Sequence, residues 1–349
     1  MPGAFQSVQL ELQRAPKAWL VTGAAGFIGS HLVEALLRLD QRVIGLDNYS
    51  TGKAQNLEQV RQLVSPQQWN HFHSIQGDIR ELPICQRACE HVDYVLHHAA
   101  LGSVPASMNN PHLTHEVNVT GFLNILCAAR DQRVSRVIYA SSSAVYGDDP
   151  DLPKVEDRIG RPLSPYALSK LANELYADTF HRCFGVDAIG LRYFNVFGPR
   201  QDPNGPYAAV IPKWIEAMIT NEPVFINGDG ETSRDFCPVS NVVQANLLAA
   251  LARPSLPDST IQRFNVYNIA LGQRTTLNEL FGIIRDALRD KFPRLGQLNP
   301  QYRDFRPGDV RHSQADISRA RKLLGYAPAQ EVKAGLTAAI GEYWDRLPG

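Results

Sequence analysis

The chain's 349 residues, 44% hydrophobic and 20% charged, exceed the roughly 250–300 that one hydrophobic core sustains, so two lobes are expected. Thirty-five basic side chains balance thirty-five acidic ones, which gives no global field for a nucleic acid or a membrane surface; a polyanionic ligand must be held by local groups. No apolar run approaches the roughly 18 residues of a membrane span, residues 1–17 are too polar for a secretory leader, and five scattered cysteines make neither a disulfide framework nor a metal set, so a reducing cytoplasm is the expected compartment.

From residue 18 short apolar runs alternate with segments of helical period. Strands are predicted at 18–22, 43–47, 72–78, 94–99 and 137–141, with helices between them at 31–38, 56–63, 82–89 and 118–130. A helix over 164–184 and a strand over 188–194 follow. Near-continuous apolar strands separated by helices predict an α/β fold with a doubly wound, Rossmann-like parallel sheet, here over residues 18–195. After Phe197 the rhythm loosens into a turn-rich connection at 198–206, helices near 211–220, 242–252, 277–288 and 317–324, and short strands near 224–227 and 264–269. Residues 196–345 read as a smaller C-terminal α/β substrate lobe, with some segments returning to the first domain.

The first strand runs into Gly23-Ala24-Ala25-Gly26-Phe27-Ile28-Gly29, which opens a helix. Glycines there let the backbone turn tightly and approach a pyrophosphate, whose charge meets the helix N-terminus. Asp47 ends the second strand eighteen residues after Gly29, where a carboxylate accepts from the adenosine ribose hydroxyls and repels a 2′-phosphate. Asn48-Tyr49-Ser50 supply no cation to rescue such a phosphate, so NAD is expected over NADP. Asp78 is a candidate acceptor for the adenine amino group, or a helix N-cap.

Tyr166 and Lys170 are four apart on a predicted helix and share a face, and Ser142 stands upstream at the end of the fifth strand. A free tyrosine titrates near 10; lowering it by about three units takes roughly 4 kcal/mol. Two cations at about 5 Å, Lys170 and a nicotinamide ring, would each supply around 3 kcal/mol at an effective dielectric near 20. The pair suffices for a tyrosinate base; one alone is marginal. Ser142 would share a hydrogen bond with the substrate hydroxyl.

Gly23-x-x-Gly26-x-x-Gly29, Asp47, Asn118, Ser142, Tyr166-x-x-x-Lys170 and Arg192-Tyr193-Phe194-Asn195 resemble the extended short-chain dehydrogenase/reductase superfamily over residues 18–345. Within it the chain is most similar to the UDP-hexose 4-epimerases, and closest to the bacterial O-antigen type acting on UDP-N-acetylglucosamine and UDP-N-acetylgalactosamine. Leu101-Gly102-Ser103-Val104-Pro105, residues 227–236 and residues 306–313 carry that closer match. The resemblance implies transient oxidation to a 4-keto sugar by a bound NAD, with Tyr166, Lys170 and Ser142 catalytic. It places cofactor contacts on Gly23, Gly26, Phe27, Ile28, Gly29, Asp47, Asn48, Gly52, Asp78, Ile79, Ala99, Asn118, Tyr166, Lys170 and Tyr193, with Lys170 on the nicotinamide ribose. Substrate contacts fall on Ser103, Ser142, Ser143, Asn195, Val210, Ile226, Asn227, Arg234, Arg306, Asp309 and Ser313. Arg234 and Arg306 have the forked donors that suit a diphosphate, or serve as ordinary surface ion pairs. The family also implies a homodimer built on the helices at 118–130 and 166–184.

Dehydratases of this superfamily carry two carboxylates directly after the residue matching Ser142; here stand Ser143 and Ala144, which can act as neither acid nor base. Decarboxylases typically place a glutamate there, and Ala144 argues against them too. Another nucleotide-sugar enzyme of the superfamily is the alternative, and an NAD-sensing protein the remoter one, since sensors usually lose the Tyr/Lys pair. In the epimerases the position of Ser313 is a large tyrosine where only plain hexoses fit and a small residue where N-acetyl sugars are accepted; a cap on the following helix is its other reading. Asn118 is expected to orient the active-site backbone, or to cap its helix. His97-His98 alternate faces of a strand and cannot share a metal.

Overall fold

The computed structural model describes residues 3–202, 210–252, 265–305 and 310–345. Arg306 and Asp309, part of the 198–206 connection and the first residue of the 264–269 strand lie outside them.

Seven parallel strands form the central sheet: β1 (Ala18–Thr22), β2 (Arg42–Asp47), β3 (Phe72–Gln76), β4 (Tyr94–His97), β5 (Arg136–Ser142), β6 (Ala188–Tyr193) and β7 (Val266–Ile269). Their order is β7-β6-β5-β4-β1-β2-β3. The winding reverses between β1 and β4, and sheets of this kind bind ligands beyond the carboxyl ends at that point. β1 and β6 are buried along their whole length, which is why both read as unbroken runs rather than alternating ones. Each strand still divides its side chains by period two. Trp19, Val21, Ile138 and Leu191 enter one core with the helix Phe27–Arg38, whereas Leu20, Val137, Tyr139 and Ala188 enter the other with Phe122 and Ile125.

The chain returns to this sheet after building most of the second lobe. The helix Val239–Leu251 packs on the first core, through Val242, Ala245 and Leu248, and β7 extends the sheet beyond β6. The lobe itself has its own core, in which Trp214, Ile215, Phe281, Ile284 and Leu336 join the helices Val210–Thr220, Leu277–Arg289 and Val332–Asp345. Two short parallel strands, Phe225–Asn227 and Gln301–Arg303, edge it.

Several elements differ from their sequence-based bounds. The helix expected from 31 starts at Phe27, capped by the Gly26 backbone with no side chain, because its first turn is part of the glycine turn. β3 ends at Gln76 and β4 at His97. The helix expected over 118–130 is Gly121–Asp131 entered through a π-helical turn, Glu116–Thr120, itself continuous with the short helix Pro111–His115. Asn118 therefore caps nothing. A helix at Ala4–Arg14 was not legible: it is polar, buries only Leu12, and is tied down by the fully buried Gln41. The Gln41 amide donates to Leu12 O (3.0 Å) and accepts from Lys17 N (2.9 Å) and Trp19 Nε1 (3.2 Å). No helix among the described residues is long and apolar enough to cross a membrane.

Candidate active site

A groove of about 490 Å³ runs across the carboxyl ends of the strands. Gly23, Gly26, Phe27, Ile28 and Gly29 line it at the first strand, Asp47, Asn48, Gly52, Asp78 and Ile79 at one end, and Ala99, Ser142, Ser143, Tyr166, Lys170, Tyr193 and Asn195 at the other. The structure thus gathers around one groove residues that the sequence spreads over more than 170 positions.

The glycine turn has a steric cause at two positions. Gly23 sits at φ +70°, and a Cβ there would lie 2.8 Å from Ala99 N, against the end of β4. A Cβ on Gly29 would lie 2.0 Å from Gly23 O, so only glycine lets the helix seat on its own turn. Asp47 closes the far end: its carboxylate accepts from Ala25 N (2.9 Å) and Tyr49 N (2.7 Å), and burial raises its pKa. A Cβ on Gly52 would come within 2.9 Å of the same carboxylate. Asp78 caps no helix; Glu81 precedes the helix Leu82–Ala88. Its carboxylate instead accepts from the Arg80 guanidinium and Arg80 N and from Asn48 Nδ2 (2.8 Å), and the Arg80 hydrogen bond leads the causes that hold its pKa down at about 2. Sequence reading missed Arg80.

Thr22, at the end of β1, was also missed. Its hydroxyl oxygen accepts from His98 N and Ala99 N (both 3.2 Å) and so presents its proton to His97 Nδ1 at 2.9 Å. Burial keeps both histidines neutral by lowering their pKa values. The two do alternate: His97 packs on Phe122, while His98 lines the groove and its Nε2 lies 2.9 Å from the Tyr193 hydroxyl. Asn246 Nδ2 donates to that hydroxyl (2.8 Å). Asn118, on the π-helical turn, accepts from Leu101 N (2.8 Å) and donates to Leu101 O (3.0 Å) and Ser169 Oγ (3.0 Å). It fixes the loop after β4 against the helix Pro165–Phe184.

That helix starts at Ser164, whose Oγ accepts from Ala167 N (3.1 Å). Tyr166 in its first turn reaches Ser142, whose hydrogen bond lowers the phenol pKa; burial, the larger effect, raises it. Lys170, one turn on, donates to Ala140 O (2.9 Å), and burial lowers its pKa to about 8. Burial thus works against the tyrosinate expected from the sequence, and the Ser142 hydrogen bond works for it. Desolvation disfavours both the phenolate and the ammonium.

The residues expected on the substrate side are less uniform. Asn195 lines the groove, held by its Nδ2 to Asp235 O (3.2 Å). Ser103 caps the short helix Val104–Asn109 through Ala106 N (3.0 Å) and is buried. Ile226 is fully buried in the lobe core, so only its backbone can face a ligand; Asn227 beside it is exposed and Val210 half-buried at its helix start. Arg234 is half-buried, with Nη1 on Ser233 O (3.0 Å). Ser313 is half-buried and held by its backbone to Ser233 O (3.1 Å). It caps no helix: Ile317 is the N-cap of the helix Ser318–Leu324, and Asp316 Oδ1 accepts from Ser318 N (2.7 Å).

Comparison with known proteins agrees with this geometry. A family model described as the NAD dependent epimerase/dehydratase family matches residues 19–270. A UDP-glucose 4-epimerase of Mycolicibacterium smegmatis is 36% identical over 92% of this chain and 96% of its own. A UDP-N-acetylglucosamine 4-epimerase structure from Methanobrevibacter ruminantium, in complex with UDP-N-acetylmuramic acid, superposes with TM-score 0.84 at 38% identity, covering 95% of this chain and 99% of that one. A Thermus thermophilus UDP-glucose 4-epimerase in complex with NAD superposes at 0.78 with 32% identity, covering 95% and 100%. The chain therefore belongs to the NAD dependent epimerase/dehydratase family, within the extended short-chain dehydrogenases/reductases that its glycine turn and Tyr-Lys pair resemble, and takes NAD as its cofactor.

Proposed function

We propose that the protein interconverts UDP-N-acetylglucosamine and UDP-N-acetylgalactosamine at C4, and UDP-glucose and UDP-galactose as well. The observation that carries this reading is the convergence of Ser142, Tyr166 and Lys170 on the groove that the glycine turn and Asp47 also line. NAD fits that groove: the helix N-terminus at Gly26 carries no side-chain cap, and Gly23 and Gly29 stand where no Cβ has room. Asp47 and Asn48 would hold the adenosine ribose, Asp78 and Ile79 the adenine, the first turn of the helix the diphosphate, and Lys170 and Tyr193 the nicotinamide end.

NAD bound there supplies the reversible two-electron oxidation at C4. Tyr166 takes the proton from O4 and later returns it to O4, once the 4-keto sugar has turned over and its C4 is reduced from the opposite face. Ser142 holds O4 within reach of the phenol. Lys170, anchored on Ala140 O, contributes the charge that lets the proton leave. Arg234, with Arg306 outside the described residues, would neutralise the nucleotide diphosphate, while Asn195, and Asp309 also outside them, would contact other parts of the UDP moiety.

Ser143 and Ala144, both on the groove, lack the carboxylates needed for dehydration or decarboxylation. The N-acetyl preference rests on the small Ser313 and on the likeness to the M. ruminantium enzyme. A homodimer fits the exposed Leu168, Leu175, Tyr176 and Phe184 along one long helix, and a reducing cytoplasm fits five free cysteines. O-antigen supply is the process this activity would serve. Incubating purified protein with each of the four UDP-sugars, separating products and assaying NAD released on denaturation tests the reading. Absence of any C4 epimer, with NAD present, would overturn it.

A further inference from the structure

Residues 198–202 lie across the helix whose first turn faces the groove, and they are fastened there more heavily than a connection requires. Arg200 is buried and sits in the left-handed region at φ +63°, a strained backbone for a side chain of its size. Its Nη1 donates to Ser30 O (3.2 Å) and its Nη2 to His31 Nδ1 (2.7 Å), and the same Nη2 pairs with Glu34. His31 Nε2 donates in turn to Pro199 O at 3.0 Å. Because Nδ1 accepts from a guanidinium, the His31 proton is fixed on Nε2 and the ring is neutral. Burial is the main reason, lowering its pKa to about 3. The His31 ring then meets the edge of Phe27 at 5.8 Å, and Phe27 and Gln201 both line the groove. Across the groove mouth Lys53, next to Gly52, pairs with Asp202 at 2.6 Å.

We propose that Arg200 is a positioning residue for the dinucleotide, latching this strap through His31 onto the helix that faces the diphosphate and so retaining the cofactor between turnovers. Arg200 does not line the groove; it holds Ser30, His31 and through them Phe27. The inference rests on the reading of the groove as the NAD site. An epimerase has no net redox change, so a slowly released cofactor suits it, and a second lobe that clasps the cofactor helix would provide that.

The test uses full-length protein loaded with NADH, whose fluorescence reports release, alongside NAD retained after gel filtration. Arg200→Ala should release NADH about 10- to 100-fold faster than wild type, as expected for losing charge-assisted hydrogen bonds. Its kcat at saturating added NAD should stay within about twofold, so that the loss appears in cofactor affinity rather than in turnover. Arg200→Lys, which keeps the charge but not the fork, should fall between. His31→Gln, which keeps an acceptor and a donor, should retain more cofactor than His31→Ala. Unchanged release in Arg200→Ala, or a turnover loss that added NAD does not restore, overturns the latch. Should Arg200→Ala fail to fold, the order of Arg200→Lys and the two His31 variants decides in the same way. A wild-type protein that binds no NADH would instead sink the functional reading itself.

Discussion

Glu174 and Arg192 face each other with neither side chain exposed at all, Oε2 to Nη2 at 2.8 Å and Oε1 to Nε at 2.9 Å, one helical turn past Lys170. The pair joins the catalytic helix to β6. Ser141, the neighbour of Ser142, donates to the same carboxylate at 2.5 Å, and Arg192 Nη1 also donates to the Tyr146 hydroxyl (3.0 Å) and Glu156 O (3.0 Å). Every polar atom of the pair is thus engaged, which is the condition under which a buried charge pair is tolerable. Because Tyr166, Lys170 and Glu174 recur every four residues, fixing Glu174 against β5 and β6 also fixes the phase of the helix that carries the phenol.

Breaking that pair on one side leaves the other charge in the core. Arg192→Met should lower the unfolding free energy by about 3–5 kcal/mol. Arg192→Met combined with Glu174→Leu should recover a large part of it, since two well-packed apolar side chains bury no charge. Urea denaturation of the three proteins reads this directly; equal losses for single and double variants would show that packing around Arg192, not charge, sets the cost.

Tyr166→Phe removes the proton carrier and leaves the ring. Epimerisation should fall by about 10²- to 10⁴-fold, the usual contribution of a positioned acid–base group. Retained NAD should not change, because the groove walls stay in place. If the variant turns over at more than a tenth of the wild-type rate, another group moves the O4 proton.

Much of this site was legible because its parts are local. A glycine triplet after a strand, a carboxylate at the end of the next strand and a tyrosine four residues before a lysine are short-range patterns with direct steric or electrostatic meaning. What stayed hidden depends on contacts between distant segments. Arg192 was read only as part of a motif, and its partner Glu174, eighteen positions away, is brought onto it by the fold. Thr22 and His97 meet across 75 positions, and nothing in either neighbourhood announces the pairing. Ile226 matches a ligand-contacting position, yet the fold turns its side chain into the lobe core. The seventh strand could not be assigned to the first sheet for a similar reason: strand partners are chosen by topology, not by the strand's own residues.

Lys170 gives the apoprotein a pH signature. Its folded pKa, about 8, is below the ordinary 10.5 because burial penalises the ammonium. Between those values the unfolded chain binds the extra proton, so stability rises with pH through that window and the full penalty is felt below pH 8. Lys170→Met should therefore raise the melting temperature of NAD-stripped protein at pH 7, with the advantage shrinking as pH approaches 10 and above. A difference constant across that range would mean that packing, not ionisation, separates the two proteins.

Ser313 offers the sharpest test of substrate size. Its backbone is pinned to Ser233 O at 3.1 Å, on the segment that continues into Arg234, so the side chain at this position is set by the same strand that is expected to hold the nucleotide. Ile317, not Ser313, is the N-cap of the following helix, so a larger side chain can be introduced here without removing a cap. Ser313→Tyr should therefore fold normally and fill the space an acetamido group would occupy. Turnover of the two N-acetylated UDP-sugars should fall by about 100-fold or more, the scale on which a misfitting group is rejected by a closed pocket, while UDP-galactose is still converted. Parallel kcat/KM measurements on the two substrate pairs decide it. Equal loss on both would mean that the tyrosine disturbs the nucleotide grip, and a loss on neither that the acetamido group lies elsewhere.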